Sequence, residues 1–415
     1  VEVEDRLGRL SSSGVSRRDL LLLGLGALLL ILLVDCLYRR QQVELSVQSQ
    51  MNLRFAPRAW DAALEKYPRL RPPLYPMLLW VADRAGVPLD RVNEALLLAL
   101  LGGLAVTFRR ALPEVPLAVA LLAFAVAHPH YVNLRQYTAE AVFVVALPAL
   151  VLFLCRYLTS GSWRDLAGAA VSLSVLCLSR YFALSYAFPL VMANVLALAP
   201  VPRARRIAHA AAVVVVAGLP VGIWMYFTYL QTGFWTGTDR SAPRQLPEAV
   251  QHWAGLTSLP ANLRLTGKTL LVDFFSPSAY AAHSVVTRPH SPAPAEWLAL
   301  GLLAACLVAG APAWRRRPAW SPRSPTFLVA EFLAAYILVT IVVWTFGNND
   351  PIYTRFLYPA YPLLGILAFA GYRAVKLERP SPWRLLPFRL LLALFLAVQA
   401  WRCWQAADLP VRYFS

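Results

Sequence analysis

Long apolar blocks, separated by short clusters of arginine, run through most of this chain, and many of them approach the length needed to cross a bilayer. Backbone polar groups have no water to bond to inside hydrocarbon, so such blocks must satisfy their own hydrogen bonds as helices. Composition agrees: 58% of the 415 residues are hydrophobic and only 15% are charged, which indicates an integral membrane protein. The net charge of +17 does not imply a nucleic-acid partner. Its arginines sit between apolar runs, as at 203–206 and 315–317, the pattern of positive-inside topology.

The first apolar run, 20–38, follows Arg17 and Arg18, and no small-x-small cleavage site comes after it. It therefore reads as a retained first helix, with a cytoplasmic N-terminal segment (1–19) and Asp35 near the outer face. The stretch 72–81 is apolar for only about ten residues, short of the ~20 a span needs. A helix lying on the membrane is predicted there, with Tyr75 and Trp80 as interfacial aromatics. Further spans are predicted near 92–108, 115–131, 139–157, 166–179, 182–199, 207–230, 296–313, 326–346, 355–373 and 385–403. That makes about eleven spans, and counting 72–81 as another would move every basic cluster to the wrong side.

The predicted fold is an all-α membrane bundle over 20–403, with a first outer loop (39–91), a long outer loop (231–295) and a short outer tail (404–415). Cys155, Cys177 and Cys306 read as packing residues, since the five cysteines form no CxxC or metal-ligand spacing. Cys36 and Cys403 fall near outer helix ends, where a disulfide between them is geometrically feasible.

Chemistry is expected on the outer face, because the cytoplasmic loops are short and no glycine-rich phosphate loop is present. Asp35 stands near the membrane boundary, where a carboxylate is costly without a partner or cavity. It suits a general base for a hydroxyl, or a simple pair with Arg39. The turn 128–140 holds His128, His130, Arg135 and Glu140. The histidines and Glu140 are a candidate set for a divalent cation (Mg, Mn or Zn), against the alternative of an interfacial turn anchored by Tyr131 and Tyr137. Glu140 also suits the N-terminus of a helix by the macrodipole alone. Arg180 and Arg355 fall at outer helix ends, where a guanidinium can hold a phosphate or snorkel to headgroups.

Taken in order, Asp35 with Tyr38, the run Arg71-Pro-Pro-Leu-Tyr-Pro76, Arg135 with Glu140, Leu178-Ser-Arg180, and Arg355 with Pro359 and Pro362 resemble the GT-C glycosyltransferases. Within them the chain looks like the branch that includes the protein O-mannosyltransferases and the lipid A aminoarabinose transferases. The resemblance implies a GT-C bundle with juxtamembrane helices in the first outer loop. It implies a polyprenyl-phosphate sugar donor in the bilayer, a hydroxyl-bearing acceptor and inverting transfer. Asp35 and Glu140 would be catalytic. Arg355, Arg180 and Arg71 would bind the donor phosphate, and Tyr38, Tyr75, Arg135, Tyr353 and Tyr358 would contact substrate. The divalent cation is the candidate cofactor.

Many relatives carry Asp-Glu where this chain has Asp35-Cys36, and the large C-terminal domain of some relatives has no counterpart within these residues. A bacterial inner membrane with a periplasmic site is the expected setting. Two other classes fit the same layout: a transporter or flippase of lipid-linked substrates, and a ligase or polymerase of lipid-linked glycans.

Overall fold

The computed structural model describes residues 17–40, 72–112, 115–135, 137–233, 235, 259–264, 266–267, 294–316, 322–343, 345, 357–377 and 382–408. These residues are helical, with no strand among them. In chain order the helices are α1 (Arg17–Arg40), α2 (Leu74–Arg84), α3 (Leu89–Ala111), α4 (Leu117–Ala125), α5 (His128–Arg135), α6 (Glu140–Ser160), α7 (Trp163–Ser179) and α8 (Phe182–Leu198). There follow α9 (Arg203–Val213), a π-helical turn (Val214–Gly218), α10 (Leu219–Thr232), α11 (Pro294–Arg316), α12 (Pro325–Val343), α13 (Ala360–Leu377) and α14 (Pro382–Asp408).

By length and apolar composition, five helices can cross a membrane: Leu89–Arg109, Glu140–Ser160, Arg203–Leu230, Pro325–Val343 and Trp383–Trp404. Phe182–Leu198 and Trp297–Ala309 are apolar but shorter. Each of the remaining predicted stretches contains helix, yet the count of about eleven spans is not reached by this measure among the described residues. The clearest departure is at 115–131, predicted as one span. It breaks at Val126 and Ala127 into α4 and α5, and Pro129 explains the restart, since proline is accepted in the first turn of a helix but not in its interior.

The core of the bundle is α6, which packs along α7 and also touches α3, α5, α8, α12 and α13. Its residues run apolar on nearly every side, so it is buried rather than amphipathic. Gly161, with φ +69°, closes α6 in the left-handed conformation that glycine allows. Asp165 in the first turn of α7 then pairs with Arg156 at 2.9 Å and ties the hairpin. Close approach along the hairpin depends on Gly168, whose missing Cβ would lie 2.6 Å from the ring of Phe153. Small residues at such crossings are the usual route to tight helix packing in membranes.

At the rim, α1 exposes Leu21, Leu25, Leu28, Leu29 and Leu32 while burying Val34 and Tyr38. Its apolar outer surface is a lipid-facing one, and only the last turns of the helix enter the bundle. The predicted surface helix at 72–81 appears as α2, against α3 and α7. It is more deeply seated than expected. Tyr75, read from sequence as an interfacial aromatic, is fully buried because its hydroxyl has a partner in Asn93 at 2.9 Å.

Candidate functional site

Helix direction brings polar residues from distant parts of the chain to one end of the bundle. They come from the end of α1 (Asp35, Tyr38), the start of α3 (Arg91, Asn93, Glu94), the end of α5 (Arg135), the start of α6 (Glu140), the residue after α7 (Arg180) and the turn before α13 (Tyr358). Two ion-pair clusters organise them.

In the first cluster Asp35 accepts from Arg39 at 2.9 Å and from Arg91 at 2.5 Å. Both bonds use Oδ1, and the Asp35 side chain keeps 26% of its surface exposed. Arg91 also donates to the buried carboxylate of Glu94 one turn further on. The guanidinium is therefore divided between two acids, and Oδ2 of Asp35 is engaged by neither arginine. Beside it, Asn93 accepts from Tyr75 and donates to the carbonyl of Leu134, locking α2, α3 and α5 together. Arg135 lies over the ring of buried Tyr38, 4.9 Å from its centroid, a cation–π contact.

The second cluster is more deeply set. Arg180 donates to Glu140 Oε1, and the Glu140 side chain is only 1% exposed. Tyr336 feels the charge of both partners, and Tyr358 and Tyr75 lie within electrostatic reach of Glu140. Through Tyr75 and Asn93 the two clusters are neighbours. An acid and a base held in low dielectric interact far more strongly than in water, so this pair fixes the exits of α7 and the entry of α6.

His130 is buried, and its Nδ1 is 2.9 Å from the hydroxyl of Tyr358. Burial pushes its pKa down to about 3. Among the described residues no three His, Cys, Asp or Glu side chains stand together as metal ligands, and the His128 side chain lies outside them. Arg71, Tyr353 and Arg355 also fall outside the described residues. Cys36 and Cys403 are both free thiols, one exposed and one buried. They are not joined, and Cys403 Sγ instead approaches the carbonyl of Val126 at 3.7 Å.

Sequence reasoning missed Arg91, Asn93 and Glu94. The charged run Asp90-Arg-Val-Asn-Glu94 immediately before a span was the available signal, since such residues at an apolar helix start need partners. It also missed Arg402 on α14, which is fully buried beside equally buried Gln399.

No curated protein matches the chain. Residues 86–224 do match the family model of the dolichyl-phosphate-mannose-protein mannosyltransferases, a segment that contains Arg91, Glu94, Arg135, Glu140 and Arg180, while Asp35 and Tyr358 lie outside it. Over those residues, about a third of the chain, it is similar to that family, which is one of the GT-C superfamily.

Proposed function

We propose that this protein is an inverting glycosyltransferase that moves a monosaccharide from a polyprenyl-phosphate lipid to a hydroxyl acceptor. The match over 86–224 supports the general class, since the family implies transfer from a polyprenyl-phosphate sugar. The observation that carries the reading for this chain is the presence, at the same end of the bundle, of both the Asp35–Arg91–Glu94 cluster and the Glu140–Arg180 pair.

On this reading the acceptor hydroxyl docks against Oδ2 of Asp35. The hydroxyl oxygen attacks the anomeric carbon, the bond from that carbon to the phosphate oxygen breaks, and the electron pair leaves with polyprenyl phosphate. Asp35 takes the hydroxyl proton. Arg180, with Arg355 and Arg71, meets the charge that grows on the departing phosphate, where contacts accelerate reaction most. Glu140 keeps Arg180 aimed. Arg91 holds Asp35 in place, and Arg135 with Tyr38 and Tyr75 shapes the wall beside it. The site faces away from the cytoplasm, which in a bacterium is the periplasmic side.

The test is release of free polyprenyl phosphate from a panel of polyprenyl-phosphate monosaccharides, beginning with mannose, by purified protein supplied with membrane extract as acceptor. Release that disappears in Asp35→Asn supports the assignment. No release from any donor by folded protein, or full release by Asp35→Asn, overturns it.

A further inference from the structure

An apolar cavity of ≈ 450 Å³ lies between α4, α11, α13 and α14. Three helices agree on its axis. Along α13 the lining runs from Tyr361 to Tyr372, about 16 Å of helix at 1.5 Å per residue. Along α4 it runs from Val115 and Pro116, just before the helix, to Ala127 and His130, just past it, and on α14 it starts at Phe388 and Arg389. One end therefore carries His130 and Tyr361, and the other carries Val115, Tyr372 and Arg389. A length of about 16 Å is close to half the ~30 Å hydrocarbon thickness, which is the reach of one acyl chain.

Between its ends the wall is built from Ala, Val, Leu, Phe, Pro and Gly. The polar side chains are His130 and Tyr361 at one end, and Tyr372 and Arg389 at the other. Among the described lining residues Arg389 is the charged one. It is exposed, and exposed Arg384 precedes it on the same end of α14. Among the described lining residues the His130 end holds no cation, and the imidazole there is turned to Tyr358. A lipid whose phosphate sat beside Arg180 would enter from the His130 end. A lipid of the opposite leaflet would bring its phosphate to Arg389.

We propose that this cavity binds one acyl chain of an anionic phospholipid drawn from the leaflet at the Arg389 end, with the lipid phosphate paired to Arg389. It is a site separate from the one that takes the donor. The chain terminus would reach His130 and Tyr361, one residue contact away from Tyr358 at the candidate site, so occupancy is coupled to the packing of that turn.

Lipid retention by native mass spectrometry tests this without any turnover, so its failure is distinguishable from failure of the transferase reading. Full-length protein is exchanged into mixed micelles holding phosphatidylglycerol or phosphatidylcholine with identical acyl chains. The wild type should retain phosphatidylglycerol about fivefold more than phosphatidylcholine, the effect of one arginine at a membrane surface. Arg389→Gln should bring the two to parity, and Ala368→Leu, which narrows the cavity from α13, should reduce retention of both. Equal retention of the two lipids by wild type, an unchanged preference in Arg389→Gln, or displacement of phosphatidylglycerol by added polyprenyl phosphate would overturn the proposal.

Discussion

Glu140 and Arg180, forty positions apart in the chain, form an ion pair where α6 begins and α7 ends, with the carboxylate buried and the guanidinium partly exposed. Breaking such a pair leaves a lone charge in low dielectric, at a cost of about 3 kcal/mol or more. Arg180→Ala, which strands the buried Glu140 carboxylate, should therefore lower the thermal unfolding midpoint in detergent markedly and abolish transfer. The double variant Glu140→Leu/Arg180→Met should recover much of the stability while remaining inactive. Single variants as stable as wild type would contradict the buried pairing.

Arg91 touches Asp35 and Glu94 but is not placed against substrate, so its role is to position. Arg91→Gln should reduce kcat on the order of a hundredfold, the scale of a misplaced reacting group, with little change in KM for the lipid donor. Arg91→Lys should restore part of the rate. A selective rise in donor KM would instead mark Arg91 as a phosphate ligand.

Burial holds the pKa of His130 near 3, against an ordinary value of about 6.5. The unfolded chain binds a proton that the native state refuses, so this residue's contribution is complete above pH 6.5 and is lost as pH falls from there toward 3. Wild type should thus lose thermal stability between pH 7 and pH 4.5 more steeply than His130→Asn, whatever the difference between the two at pH 7. Parallel pH slopes for the two proteins would show that His130 is protonated in the native state.

Gly168 faces Phe153 across the α6–α7 hairpin with no room for a Cβ. Gly168→Ala should cost about 1–3 kcal/mol, the usual penalty of overpacking, and Gly168→Val more. Activity per folded molecule should change little, because the crossing is remote from Arg180 at the far end of α7. Pairing Gly168→Ala with Phe153→Leu should recover stability.

The helices were legible because the bilayer imposes a length and a polarity that local sequence alone must meet. Even so, the break at Val126 and Ala127 was not, since an apolar run of sufficient length carries no mark of where it bends, and Pro129 signalled it only weakly. For the site, Asp35, Glu140 and Arg180 stood out as charges at apolar helix ends. Their pairings did not, because a partner across the bundle depends on which helix ends meet. Thus Asp35 pairs with Arg91 as well as with the neighbouring Arg39 that sequence offered. Tyr75 belongs to the core rather than the interface for a similar reason: Asn93, eighteen residues on, supplies the partner that lets its hydroxyl be buried.

The π-helical turn at Val214–Gly218 decides where along this span a change in residue number is absorbed and where it is not. Each residue of a helix adds about 100° of rotation, and a π turn accommodates an extra residue within an otherwise α-helical segment. Trp224, beyond the turn, donates to the hydroxyl of Tyr181 at 2.9 Å, and Tyr181 directly follows Arg180. Deleting one residue here would allow a continuous α-helix of the same composition and hydropathy, and it would still cross the membrane. Because the turn absorbs the extra residue, that shortened helix would keep Trp224 close to its place beside Tyr181, whereas loss of a residue between the turn and Trp224, equally invisible to any measure of hydrophobicity, would rotate Trp224 by about 100° and be felt at the arginine.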